Sequence, residues 1–301
     1  MRTPYSKAFI YLALCAGLTR CVAAGNAFSD VPILSCSGLP CIQARLEKGP
    51  PIRLLLDFSS LASYVSTSAV RNQHLGISGR AQMGSVVLTD RFVVVDPTSE
   101  ESLAQIGRNE FAGGDGGLSL RAFADRLFVL DLPHQRLRIW NGYSPKSGCP
   151  SGCGKLVRAR QGDFASVEIW AADSFSLNNR PVTALIDPLY PGAVIASQTI
   201  EGLIDSERRG KRFYIPGVAT DRKYDEERLF FVGSIFVTFA GRTICTSAAL
   251  NRYDDQLFGI IGNTYQATIG RAILSKFPIA FDLRNAQMWI ADPNARALSC
   301  D

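Results

Sequence analysis

Short apolar runs closed by polar or turn-forming residues recur along this chain. Ile52-Arg53-Leu54-Leu55-Leu56 reads as a strand and ends in Asp57, and Val182-Thr183-Ala184-Leu185-Ile186 reads as a second that ends in Asp187. Val86-Val87-Leu88 and Phe92-Val93-Val94-Val95 flank Thr89-Asp90-Arg91 and predict a hairpin. Val167-Glu168-Ile169-Trp170 and Phe236-Val237-Thr238-Phe239 read as further strands. Helical signal is confined to two short segments that begin at Arg121 and Arg271. The expected fold class is mostly β.

These elements recur in the same order. Arg121-Ala122 opens a short apolar helix followed by a basic residue, a strand ending Asp131-Leu132, a polar turn and the strand Leu137-Arg138-Ile139-Trp140. Arg271-Ala272 opens the same series, with Asp282-Leu283 and Met288-Trp289-Ile290. Upstream, Asp57 precedes Tyr64-Val65-Ser66, and Asp187 precedes Val194-Ile195-Ala196-Ser197. The second copy has about 20 more residues between these landmarks, some of them in the charged stretch 205–228, which reads as solvated. Pro145, Gly148, Pro150, Gly152 and Gly154 mark a connector. The expected organisation is an N-terminal lobe over 25–148, a linker over 149–156 and a C-terminal lobe over 157–301.

Composition adds compartment and charge. Arg2 and Lys7 precede an 11-residue apolar run, Ala8 to Leu18, and the small residues Val22-Ala23-Ala24 follow. That pattern predicts a signal peptide over 1–24 and export, to the periplasm or outside the cell. The run is too short for a membrane span, which needs about 20 apolar residues, and no membrane anchor is expected in the mature chain. The full chain carries 32 Lys+Arg, 27 Asp+Glu and a net charge of +5; without 1–24 it has 29 basic residues and a charge of +2. Nucleic acid is therefore not an expected partner, and a monomer is expected. Cys36, Cys41, Cys149, Cys153, Cys245 and Cys300 remain. In an oxidising compartment an even count reads as disulfides, and the close pairs suggest Cys36–Cys41 and Cys149–Cys153, which leaves Cys245–Cys300. A zinc site built from the two close pairs is the competing reading, with spacings unlike the usual ones.

With two histidines, His74 and His134, the composition disfavours histidine-based chemistry. Two lobes that each offer an Asp at a strand end suggest a facing carboxylate pair. Such a pair shares one proton, so one member draws a proton from water while the other protonates a carbonyl. That chemistry needs neither metal nor cofactor.

Thr268-Ile269-Gly270-Arg271-Ala272-Ile273-Leu274-Ser275-Lys276-Phe277-Pro278-Ile279-Ala280-Phe281-Asp282-Leu283 resembles the C-lobe segment of pepsin-like aspartic proteases, and Asp115-Gly116-Gly117-Leu118-Ser119 resembles a shortened N-lobe counterpart. The resemblance covers nearly all of the mature sequence. It implies a bilobal fold, two related β-rich lobes with a cleft between them, and it puts Asp57 and Asp187 at the catalytic positions. The chain departs from that family's Asp-Thr-Gly or Asp-Ser-Gly signature, with Asp57-Phe58-Ser59 and Asp187-Pro188-Leu189 in its place. Phe58 and Pro188 lack the hydroxyl that would cross-bond the two loops. Pro188 also lacks an amide hydrogen, and Leu189 adds bulk where glycine is the rule. The stretch 78–96, where a flap tyrosine is expected, contains none. The expectation is an exported aspartic-protease-like protein with a degenerate site and weak or no peptidase activity, binding an extended peptide or protein ligand in its cleft. An acid endopeptidase using Asp57 and Asp187 is the alternative.

Overall fold

The computed structural model describes residues 28–47, 49–70, 79–104, 113–140, 154–160, 168–197, 209–212, 229–251 and 266–291. The proposed signal peptide, Cys149, Cys153 and Cys300 lie outside these. The first half contributes β1 (Phe28–Pro32), β2 (Leu34–Cys36), β3 (Leu39–Leu46), β4 (Pro51–Leu56), β5 (Tyr64–Ser66), β6 (Gly79–Met83), β7 (Val86–Asp90), β8 (Val93–Val95), β9 (Gly116–Leu118), β10 (Leu127–Asp131) and β11 (Arg136–Trp140). The second contributes β12 (Gly154–Arg160), β13 (Glu168–Leu177), β14 (Arg180–Asp187), β15 (Val194–Ser197), β16 (Arg209–Arg212), β17 (Leu229–Phe239), β18 (Arg242–Asn251), β19 (Ala267–Gly270), β20 (Ile279–Asp282) and β21 (Gln287–Ile290). The chain is mostly β, and no helix among the described residues is long and apolar enough to cross a membrane.

The repeat read from the sequence is a repeat of topology. In the first half β4 runs parallel to β9, β9 antiparallel to β5, and β5 parallel to β8. In the second half β14 runs parallel to β19, β19 antiparallel to β15, and β15 parallel to β18. Register carries the match to single residues. Leu56 pairs with Leu118, which sets Asp57 beside Ser119, and Asp187 pairs with Gly270. A helical turn follows each, Leu120–Phe123 after Ser119 and Arg271–Leu274 after Gly270.

The two halves meet at the hairpins β10–β11 and β20–β21. Each turn is held by a buried aspartate: Asp131 Oδ1 accepts the His134 amide at 3.3 Å, and Asp282 Oδ1 accepts the Asn285 amide at 3.1 Å. Gln135 and Ala286 sit at the same place in each turn, both at φ 53°. Strands β10 and β20 pair antiparallel, with Phe128 opposite Phe281, Val129 opposite Ala280 and Leu130 opposite Ile279. Exchanging the halves maps the first pair onto the last and leaves Val129–Ala280 in place, so a pseudo-twofold axis passes through that pair. The flanks obey it too, since β1 adds to β11 and β12 adds to β21. The result is a shared six-stranded layer, β1-β11-β10-β20-β21-β12, with one lobe on either side. Every residue of β10 and β20 is buried, as expected for strands with no solvent face.

Three expectations are corrected. Residues 86–95 do not form a hairpin: β7 pairs with β6 across the turn Gly84-Ser85, and β8 pairs with β5. Gly79-Arg80-Ala81-Gln82-Met83 alternates buried and exposed, but its small inward residues hid it as a strand. The shared Arg-Ala dipeptide is not an equivalence, because Arg271 matches Leu120 and Arg121 matches Ala272 when the helical turns are aligned. Strand β12 begins at Gly154, so the last three positions of the expected linker belong to a strand that closes the shared layer.

Candidate functional site

Asp57 follows β4, and its backbone continues the ladder through a 2.9 Å bond from its amide to Leu118 O. The side chain has no exposed surface. The Tyr64 hydroxyl donates to Asp57 Oδ2 at 2.9 Å, and Ser59 Oγ lies 3.4 Å from Oδ1. Tyr64 comes from β5, two strands away through β9, and its ring rests on Gly117. A Cβ at Gly117 would lie 2.5 Å from Tyr64 Cε1, so this strand position has to be glycine for the phenol to reach the carboxylate. Beside this, Ser119 N–H donates to Ser63 Oγ at 3.1 Å, and Ser63 Oγ donates to the buried Asp90 Oδ2 at 2.5 Å.

Asp187 ends β14 and is partly exposed. Its Oδ1 accepts the Leu189 amide at 2.9 Å, so the donor expected from the signature loop comes from the residue after Pro188. The backbone turns are alike, with Ser60 N–H on Asp57 O and Tyr190 N–H on Asp187 O, both at 3.2 Å. Tyr190 is buried over Gly192 and Gly270, where added Cβ atoms would meet its ring or hydroxyl at 2.2 Å and 2.3 Å. Burial, and secondarily the Asp187 charge, hold the Tyr190 phenol above its ordinary pKa. Burial pulls Arg271 below its usual range, and Asp187 opposes that shift.

The other signature positions are filled by apolar side chains. Phe58 is buried and packs edge-on against Phe123, Phe128 and Phe281, at centroid distances of 6.0, 5.9 and 6.0 Å. Phe128 and Phe281 stack across the lobe boundary at 4.9 Å. Phe58, Phe123, Phe128 and Phe281 thus form an aromatic cluster at the lobe boundary, where the resemblance implied a polar cross-bond. Pro188 is buried. Leu189 reaches into the first lobe and packs with Leu55 and the disulfide Cys36–Cys41, whose Cα atoms are 5.9 Å apart. That disulfide overturns the four-cysteine zinc reading, because sulfurs bonded to each other are not thiolate ligands. Cys245 is also disulfide-bonded. The turn of hairpin β6–β7 does not stand free, since Ser85 Oγ bonds Ser29 Oγ of β1 at 2.7 Å.

Sequence reasoning located both aspartates but assigned no role to Tyr64, Tyr190, Gly117 or Arg271. The usable signal for Tyr64 was the Gly116-Gly117 pair, which leaves room for a ring on the adjacent strand.

No family model matches the chain, and no curated protein matches it. Among solved structures it is similar to an aspartic proteinase from Irpex lacteus, with 12% sequence identity over 90% of this chain and 100% of that one, at a TM-score of 0.44. The fold stands on its own topology: mostly β, two related lobes, and one layer shared between them.

Proposed function

We propose that this is an exported aspartic-protease-like protein whose degenerate site no longer hydrolyses peptide bonds. The observation that carries this reading is the state of Asp57. A general base must reach the proton it abstracts, directly or through one water. Asp57 has no exposed surface, and Tyr64 occupies one of its oxygens. The absence of a hydroxyl at both Phe58 and Pro188 supports the same reading, since one missing preorganised donor commonly costs about 3 kcal/mol of transition-state stabilisation. Export is supported by the N-terminal apolar run and by the disulfides. The partner this reading assigns is an extended peptide or protein held between the lobes without being cut.

The test is hydrolysis of an unstructured protein by the mature, oxidised chain from about pH 3 to pH 7, the range in which carboxylate pairs work. An Asp57→Ala/Asp187→Ala double variant runs beside it. Equal background from both is the expected result. Cleavage by the wild type that the double variant abolishes would establish the endopeptidase instead.

A further inference from the structure

The second lobe meets the disulfide turn of the first lobe at two chemically different points, one from the loop after Asp187 and one from the helical turn after β19. Leu189 is buried in a small apolar cluster with Cys36, Cys41 and Leu55, separate from the main core. Arg271 Nη1 donates to Gly38 O at 2.6 Å, in the same turn that the disulfide closes. Residues 38 and 271 belong to different lobes, and so do 55 and 189.

Both partners are stiff. The turn between β2 and β3 is pinned by the disulfide and by ladder pairing on either side, with Ser37 at φ 51° and Gly38 at φ 84°. On the other side, Arg271 N–H donates to Tyr190 O at 2.7 Å and Leu189 N–H to Asp187 Oδ1. Leu189 and Arg271 thus sit on two adjoining segments, the loop after β14 and the helical turn after β19, joined by the Arg271 and Ala272 amides on Tyr190 O and Gly192 O and by Tyr190 packed against Gly192 and Gly270.

The contact also has a position. Leu54 and Leu56 of β4 point into the main core, whereas Leu55 belongs to the cluster with Leu189. Side chains alternate along a strand, so Asp57 lies on the Leu55 side, one pleat further on. Leu189 covers that side from the opposite lobe.

We infer that Leu189 and Arg271, seated on the Cys36–Cys41 turn, form an autoinhibitory latch that holds the two lobes shut beside Asp57. Displacing Leu189 disturbs Arg271 as well, because the Arg271 amide is bonded to the carbonyl of Tyr190, the residue next to Leu189. The latch rests on the two-lobe reading of the fold and not on the loss of catalysis. A positive hydrolysis assay would overturn the latter and leave the latch open to its own test.

That test is native-state hydrogen exchange on the mature, oxidised protein. A latch opens as one unit, so the amides of Leu39 and Leu189, in different lobes, exchange through the same opening with the same denaturant dependence. In Leu189→Ala and Arg271→Ala variants both amides speed up together, on the order of tenfold, while Leu130 at the centre of the shared layer keeps its wild-type rate. Independent openings for the two loops in the wild type would overturn the latch. So would variants that quicken exchange only in the altered loop. The wild-type measurement decides the matter even if a variant fails to fold.

Discussion

Tyr64→Phe removes one oxygen from a buried position and tests the central contact of the site. In the wild type that hydroxyl donates at 2.9 Å to the carboxylate of Asp57, which has no exposed surface. A hydrogen bond to a charged group contributes about 1.5–3 kcal/mol, so the variant should lose about 2 kcal/mol. For a chain of this size that lowers the Tm by about 3 °C. The sharper statement concerns sign. Asp57→Leu removes the acceptor and leaves the phenol hydroxyl facing an apolar group, at a desolvation cost of about 1–3 kcal/mol. In that background Tyr64→Phe should be neutral or stabilising, which gives a coupling of about 2 kcal/mol in the double-mutant cycle. Urea unfolding of the four proteins, with unchanged m-values, measures it. If Tyr64→Phe costs the same with and without Asp57, the hydroxyl does not serve the carboxylate and the account of a blocked Asp57 is wrong.

Gly117→Ala puts a methyl where the Tyr64 ring now sits and should cost about 1–3 kcal/mol, the usual penalty of overpacking; an unchanged urea midpoint would contradict the packing described. Phe58→Thr restores the family's hydroxyl yet should destabilise by about 3 kcal/mol and yield no peptidase, because a ring that touches Phe123, Phe128 and Phe281 is lost; a gain in acid-pH hydrolysis would refute this. Tyr190 has a pKa raised by burial and then by Asp187, so the native state keeps a proton that the unfolded chain has released. The associated stability is full below about pH 10 and is lost as pH rises beyond it. Denaturant midpoints from about pH 8 to 11 should therefore fall more steeply for the wild type than for Tyr190→Phe, and parallel curves would rule this linkage out.

The parts of the molecule that read well from sequence are those encoded locally. The strands that end at Asp57 and Asp187 announce themselves as apolar runs cut by an acidic residue, and the recurring Asp-Leu turns at 131 and 282 reveal the duplication. Pairing across the chain read poorly. Strand β6 has the alternation of a half-buried strand, but Gly79 and Ala81 contribute too little side chain to stand out, so the apolar pattern alone points to β8 as the partner of β7. The Arg-Ala match at 121 and 271 was a one-residue coincidence, which only the ladder registers of Leu118 and Gly270 exposed. The site divides in the same way. The positions of the aspartates follow from strand ends. Their surroundings follow from contacts over tens of residues, Tyr64 over Gly117 and Leu189 against Leu55, which depend on register and on how the halves dock.

Loss of the signature threonines would be expected to loosen the joint between the lobes, because their cross-bond ties the two loops together. The joint here is built differently. A buried neutral hydrogen bond contributes about 1 kcal/mol net. Each aromatic pair contributes about 0.5–1.5 kcal/mol beyond the area it buries, and Phe58 makes three such contacts, one of them with Phe281 of the opposite lobe. A phenylalanine at position 58 therefore favours the closed joint, and it offers no hydroxyl of the kind the resemblance implied there. Pro188 fits the same logic: the equivalent place in the second loop needs no hydroxyl once the cluster is in place, and a fixed φ helps present Leu189 to the first lobe. On this account the two departures from the signature are one change. On the proposed reading, an apolar joint that serves closure stands where a polar one would serve chemistry, so a single threonine at position 58 should confer no peptidase activity. Both loops, together with the Leu189 and Arg271 contacts, would have to change at once.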